Sequence, residues 1–158
     1  PVEATEMQAK IAATMEHELD YKQMAHDAYE TSDKVNSDAI ANSVANTALL
    51  IGAQLIVCFS ETGESAKRVS KARPCAPVVA ITNNRCAVMQ LGLVWGIHGV
   101  LISNMPQFIE DMEVLALFKA RQLGFKPGDH IILTGGTPTG AGKTNFMKIL
   151  MINELRDI

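Results

Sequence analysis

The sequence contains no uninterrupted run of about 18 apolar residues, so no membrane-spanning helix is expected. It has no basic surplus either. Fourteen Lys and Arg stand against seventeen Asp and Glu, for a net charge of −3. That balance argues against a nucleic-acid or acidic-lipid partner. Its three cysteines, Cys58, Cys75 and Cys86, are odd in number and lack metal-ligand spacing. They read as reduced thiols, which places the chain in the cytoplasm. His17, His26, His98 and His130 show no ligand spacing, and no nucleophile elbow, paired acid–base carboxylates or zinc cluster is present. No catalytic or metal-binding residue is therefore expected. The N-terminus lacks the basic flank and apolar stretch of a signal peptide. It begins with Pro1, which reads as a fragment of something longer or a processed product.

What is present suits a globular protein. Apolar residues make up 47% of the 158 positions and charged residues 20%, enough for one domain with a core, or one domain plus an appendage. Met7, Ile11, Met15 and Leu19 recur at helical spacing and predict a helix over 2–19. A second is expected over about 20–30, and the polar stretch Thr31 to Asn36 reads as a linker. A third helix should start at Ser37 or Asp38, either able to cap it, and stop near Ile51 before Gly52.

From there the pattern alternates between strand and helix. Leu55–Phe59, Val78–Ile81, Gly99–Ile102 and His130–Leu133 read as strands. Helices are expected to about Ala72, over 85–94, and from Pro106 to about Leu123. Lys148–Ile152 is apolar, and periodicity does not decide between strand and helix. Continuous apolar strands alternating with helices imply a mostly parallel sheet covered on both faces. Ligands in such sheets sit beyond the carboxyl ends of strands.

Two loops fit that place. Ser60-Glu61-Thr62-Gly63-Glu64-Ser65 joins a strand to a helix start. Gly63 permits close backbone approach, and the hydroxyls of Ser60, Thr62 and Ser65 stand beside helix amides that favour an anion. The same residues also make an ordinary capping turn. The second loop, Gly135 to Gly142, is followed by Lys143-Thr144 and resembles a nucleotide P-loop. Counting back from Gly142, however, the position that needs glycine is Thr137. Pro138 also removes an amide that a phosphate could use.

Several segments together resemble the pyruvate kinase family. Pro1-Val2-Glu3-Ala4 with Met7 and Lys10-Ile11-Ala12 resembles the last barrel helix. Ala39-Ile40-Ala41 with Ser43-Val44-Ala45 resembles the first helix of the regulatory domain. Thr62-Gly63-Glu64-Ser65-Ala66, Arg73-Pro74-Cys75-Ala76-Pro77, Ala80-Ile81-Thr82-Asn83, Gly128-Asp129, Thr134-Gly135 and Thr144-Asn145 follow in the family's order. The resemblance covers nearly the whole chain.

It implies an α/β three-layer sandwich: a five-stranded, mostly parallel sheet with one antiparallel strand and helices on both faces. Residues 1–22 would be the last helix of a barrel domain, and 23–158 the C-terminal regulatory domain. The last segment would be a strand. Relatives bind the phosphate of an allosteric sugar phosphate in the loop matching Ser60–Ser65, and the glycine-rich loop folds over it. The implied effector residues are Ser60, Thr62, Gly63, Glu64, Ser65, Thr139, Gly140, Gly142 and Lys143.

Departures from the family pattern shape the ligand expected. Asp111 stands near where some relatives place an arginine for the second phosphate of fructose 1,6-bisphosphate. Glu64 replaces a residue that is often basic, and Trp95-Gly96 replaces Arg-Gly. A monophosphate effector fits these changes better than a bisphosphate. The parent enzyme would transfer phosphate from phosphoenolpyruvate to ADP, with magnesium and often potassium held on the barrel. Alone, the chain is expected to bind and to form a homo-oligomer with the rest of pyruvate kinase, not to catalyse. Two alternatives are a nucleotide-binding protein using Gly142-Lys143-Thr144, and a stand-alone phosphometabolite-binding module.

Overall fold

The computed structural model describes residues 1–16, 18–33, 35–138, 140 and 142–153. Three helices come first: α1 (Val2–Glu16), α2 (Tyr21–Glu30) and α3 (Asn36–Ile51). The alternating part follows as β1 (Leu55–Phe59), α4 (Glu64–Lys71), β2 (Val78–Thr82), α5 (Arg85–Leu91), β3 (Ile97–Leu101), α6 (Ile109–Gln122), β4 (His130–Gly135) and β5 (Phe146–Met151).

The five strands form one sheet in the order β3-β2-β1-β4-β5. β1 runs parallel to β2 and β4, and β2 parallel to β3. β5 runs antiparallel to β4, with Ile132 opposite Ile149. Thus the ambiguous last segment is a strand.

Every residue of β1 and β2 is buried, which explains their unbroken apolar sequence. Alternate side chains feed two cores. Ile56, Cys58, Val78, Ala80 and Ile132 meet Val44 and Ala48 of α3 and Ala66 and Val69 of α4. Leu55, Val57, Val79, Ile131 and Leu133 meet Met112, Ala116 and Ala120 of α6. This is the three-layer arrangement. Each fully buried Leu, Ile or Val contributes about 1.5–3 kcal/mol of transfer free energy.

Several boundaries differ from the sequence reading, for local reasons. α3 starts at Asn36, and its N-cap is Val35, which has no capping side chain. Ser37 and Asp38 lie inside the first turn, and the Asp38 carboxylate is engaged elsewhere. Pro106 does not open α6. That helix begins after Phe108, with Glu110 and Asp111 in its first turn, where the helix dipole favours negative charge. α5 stops at Leu91, before Gly92. β3 begins two residues early, at Ile97, and Gly99 is an interior position. A Cβ on Gly99 would stand 3.1 Å from Val88 Cγ1, so glycine lets α5 lie close on the strand. α1 ends at Glu16 and buries no residue. No described helix is long and apolar enough to cross a membrane.

Candidate functional site

Going from β1 to β2 to β3 the sheet grows in one direction, and β4 then returns to the other side of β1. The strand order therefore reverses between β1 and β4. A crevice at the carboxyl ends of those strands is the favoured ligand position in an open α/β sheet. The segments leaving β1 and β4 are the two loops singled out above.

The first loop is a wound turn. Ser60 is buried, its amide donates to Ile81 O at 3.1 Å, and its Oγ accepts the Gly63 N–H at 3.1 Å. The Ser60 oxygen thus helps wind the loop, and its O–H remains able to donate. Gly63 has φ +83° and packs against Leu91, where an added Cβ would meet the side chain at 3.3 Å. Both facts favour glycine. Because Gly63 is the N-cap of α4, no side chain caps that helix from this position. Thr62 Oγ1 makes only a long 3.5 Å contact with the Glu64 N–H. The Glu64 carboxylate pairs with Lys67 Nζ at 2.7 Å, which offsets one of the loop's two negative charges. Thr82, at the end of β2, supports the turn by donating its hydroxyl to Glu61 O at 3.0 Å.

The second loop is tied at its base. The Asn145 N–H donates to Gly135 O at 3.0 Å. The Asn145 side chain accepts the Thr137 N–H at 3.1 Å and donates to Thr137 O at 2.8 Å. Gly136 lies against the returning arm of the loop, where a Cβ would stand 2.2 Å from Lys143 O. The Lys143 side chain passes over Gly140, within 3.2 Å of the place a Cβ would occupy. Gly142 has φ +73°. Thr139 lies outside the described residues.

The two loops meet. The Ser65 hydroxyl, on the first turn of α4, is hydrogen-bonded to the buried Thr144 hydroxyl just before β5. Thr144, named in the sequence only within the P-loop-like Gly-Lys-Thr and the family-like Thr-Asn pair, and Asn145, named only in that pair, are positioning residues here.

Gly142-Lys143-Thr144 leads into strand β5, not into a helix. A nucleotide P-loop needs the helix N-terminus at that point. That frame is not built here. No set of three or more His, Cys, Asp and Glu side chains that could hold a metal gathers among the described residues.

Comparison with known proteins agrees with this architecture. The family model described as the pyruvate kinase alpha/beta domain matches residues 38–150. A pyruvate kinase of Geobacillus stearothermophilus is 33% identical over 156 residues, which are 98% of this chain and 27% of that protein. One from Staphylococcus haemolyticus is 35% identical over 156 residues, 98% of this chain and 26% of its own. The chain thus spans about a quarter of the length of these relatives. A solved pyruvate kinase from Cryptosporidium parvum superposes with a TM-score of 0.77 at 27% identity, over 87% of this chain and 27% of that one. A second, solved in complex with ADP, gives 0.81 at 26% identity, over 90% of this chain and 29% of its own. The chain belongs to the pyruvate kinase family, of which it carries the C-terminal α/β domain.

Proposed function

We propose that this domain is the effector-binding and assembly unit of a pyruvate kinase, with no catalytic residues of its own. The parent would transfer phosphate from phosphoenolpyruvate to ADP. Residues 1–22 would complete the barrel. In support, the apolar stripe of α1 (Val2, Met7, Ile11, Met15) is exposed, as a helix made for another domain would be.

One observation carries the reading. The loops leaving β1 and β4 are joined by Ser65 and Thr144 at the reversal of strand order, where α/β sheets take ligands. The ligand proposed is a sugar or nucleoside monophosphate. Its phosphate would lie against the uncapped start of α4, with Thr62 and Ser65 as hydroxyl donors. Thr139, Gly140, Gly142 and Lys143 would close over it, Lys143 supplying the counter-charge. Ser60 and Gly63 shape the turn. Glu64, paired with Lys67 and facing no second cation in the loop, disfavours a bisphosphate.

A thermal-shift screen with sugar monophosphates, nucleoside monophosphates, fructose 1,6-bisphosphate and ATP tests this. A monophosphate at 100 times its Kd should stabilise the fold by about 2.7 kcal/mol, and Thr62→Ala or Ser65→Ala should abolish the shift. No shift with any monophosphate would sink the effector reading. Turnover of phosphoenolpyruvate and ADP by the chain alone would sink the non-catalytic one.

A further inference from the structure

Helix α4 leaves the Ser60–Gly63 loop and is fastened, on another face, to the segment that carries the N-terminal helices. Arg68 Nη1 donates to Asp38 Oδ1 in an ion pair, with the Asp38 side chain 7% exposed and that of Arg68 36%. The other carboxylate oxygen, Oδ2, accepts the Asp33 backbone N–H at 3.0 Å. Asp33 lies in the connector between α2 and α3. Burial pushes the Asp38 carboxyl up. The hydrogen bonds from Arg68 and the Asp33 amide, with the charges of Arg68 and Lys71, outweigh that and hold it below its ordinary value.

Val35 gives α3 no side-chain cap, so no capping residue anchors the chain as it enters the helix. α1 buries no residue, and α2 buries only Ala25. Around the ion pair, Ala28, Ser32, Ala41, Asn42, Lys71 and Ala72 line a dent of about 10 Å³, beside a cleft of about 450 Å³ lined by Tyr29, Ser32, Val35 and Asn42. The contact by which a shift of α4 reaches the connector is therefore the ion pair and its hydrogen bond to the Asp33 amide.

We propose that the Arg68–Asp38–Asp33 chain is a coupling joint that passes the position of α4 to α2 and α1. It rests on the effector reading above, since occupancy of the Ser60–Ser65 loop would set where α4 starts. A ligand that prefers one position of α4 would bias the connector by its differential affinity, and whatever packs on the N-terminal helices would bias the ligand in return.

Hydrogen exchange read by mass spectrometry tests the joint, using the chain, Arg68→Met and Arg68→Lys, each with and without inorganic phosphate. Without phosphate, Arg68→Met should speed exchange across 31–36 and α2 by about tenfold or more. Arg68→Lys should restore much of the protection, and β1 and β4 should stay protected in all three. With phosphate, α2 should slow in the unsubstituted chain but not in Arg68→Met, while 60–65 slows in both. Unchanged exchange at 31–36 in Arg68→Met, or equal slowing of α2 by phosphate in both proteins, would overturn the joint. If phosphate protects nothing in the unsubstituted chain, the effector reading and the coupling to it fail together. The phosphate-free comparison then still decides whether Arg68 holds the connector.

Discussion

At the residue scale, Gly136 shows how closely the candidate site is fitted. An added methyl would stand 2.2 Å from the carbonyl oxygen of Lys143 and 2.6 Å from its carbon, both backbone atoms that no rotamer change can move. Gly136→Ala should therefore force the two arms of the glycine-rich loop apart. We expect a cost of about 1–3 kcal/mol, read as a fall in melting temperature, together with loss of any ligand-induced shift. Contacts of this kind were not legible in the sequence. The glycines announced a loop, but not which of them is pressed against backbone. Likewise the Ser65–Thr144 hydroxyl pair joins residues 79 positions apart, which no local pattern could relate. Ser60 reads in the sequence as a hydroxyl beside an anion site, and in the structure its oxygen also accepts the Gly63 amide. A serine in such a turn serves either use, and composition does not separate them.

At the scale of elements, the joint between α3 and α4 makes stability depend on pH in a definable window. Asp38 has a folded pKa below its ordinary value, so the ionised form is favoured by folding. Its contribution is complete above the unfolded aspartate value of about 3.9 and is lost as pH falls through the lower folded value. Urea midpoints of the protein and of Asp38→Asn should differ at pH 6, and the gap should narrow below about pH 4. A gap that stays constant down to pH 2.5 would show that the carboxylate charge is not what matters. The elements themselves were mostly legible, because β1 and β2 are buried on both faces and read as unbroken apolar runs. Errors came where a punctuating residue acts one step away from its usual place. Pro106 precedes α6 by three positions, and Gly99 sits inside β3 to admit Val88. Periodicity alone did not set the type of β5; the family resemblance implied a strand, and pairing with β4 shows it.

At the scale of the whole molecule, β3 and β5 are the edge strands of the sheet among the described residues. β5 carries Ile149 and Met151, 47% and 50% exposed, and an edge strand is a template for pairing with another chain. This is the surface we expect a second copy to use in the proposed assembly. Sedimentation should find Ile149→Lys shifted toward monomer relative to the unsubstituted chain at equal concentration. If both sediment alike, the contact lies elsewhere.

The same sheet has one further consequence. Leu55 at the start of β1 lies beside Ile131, and Met151 at the end of β5 lies beside His130, so both meet the first residues of β4. Ile152 is buried there, exchanging backbone bonds with Gly128 and Asp129. The places where the chain joins and leaves the sheet are therefore neighbours, at the end remote from the two loops. A label or tether fixed at that remote end would therefore leave the two loops unobstructed.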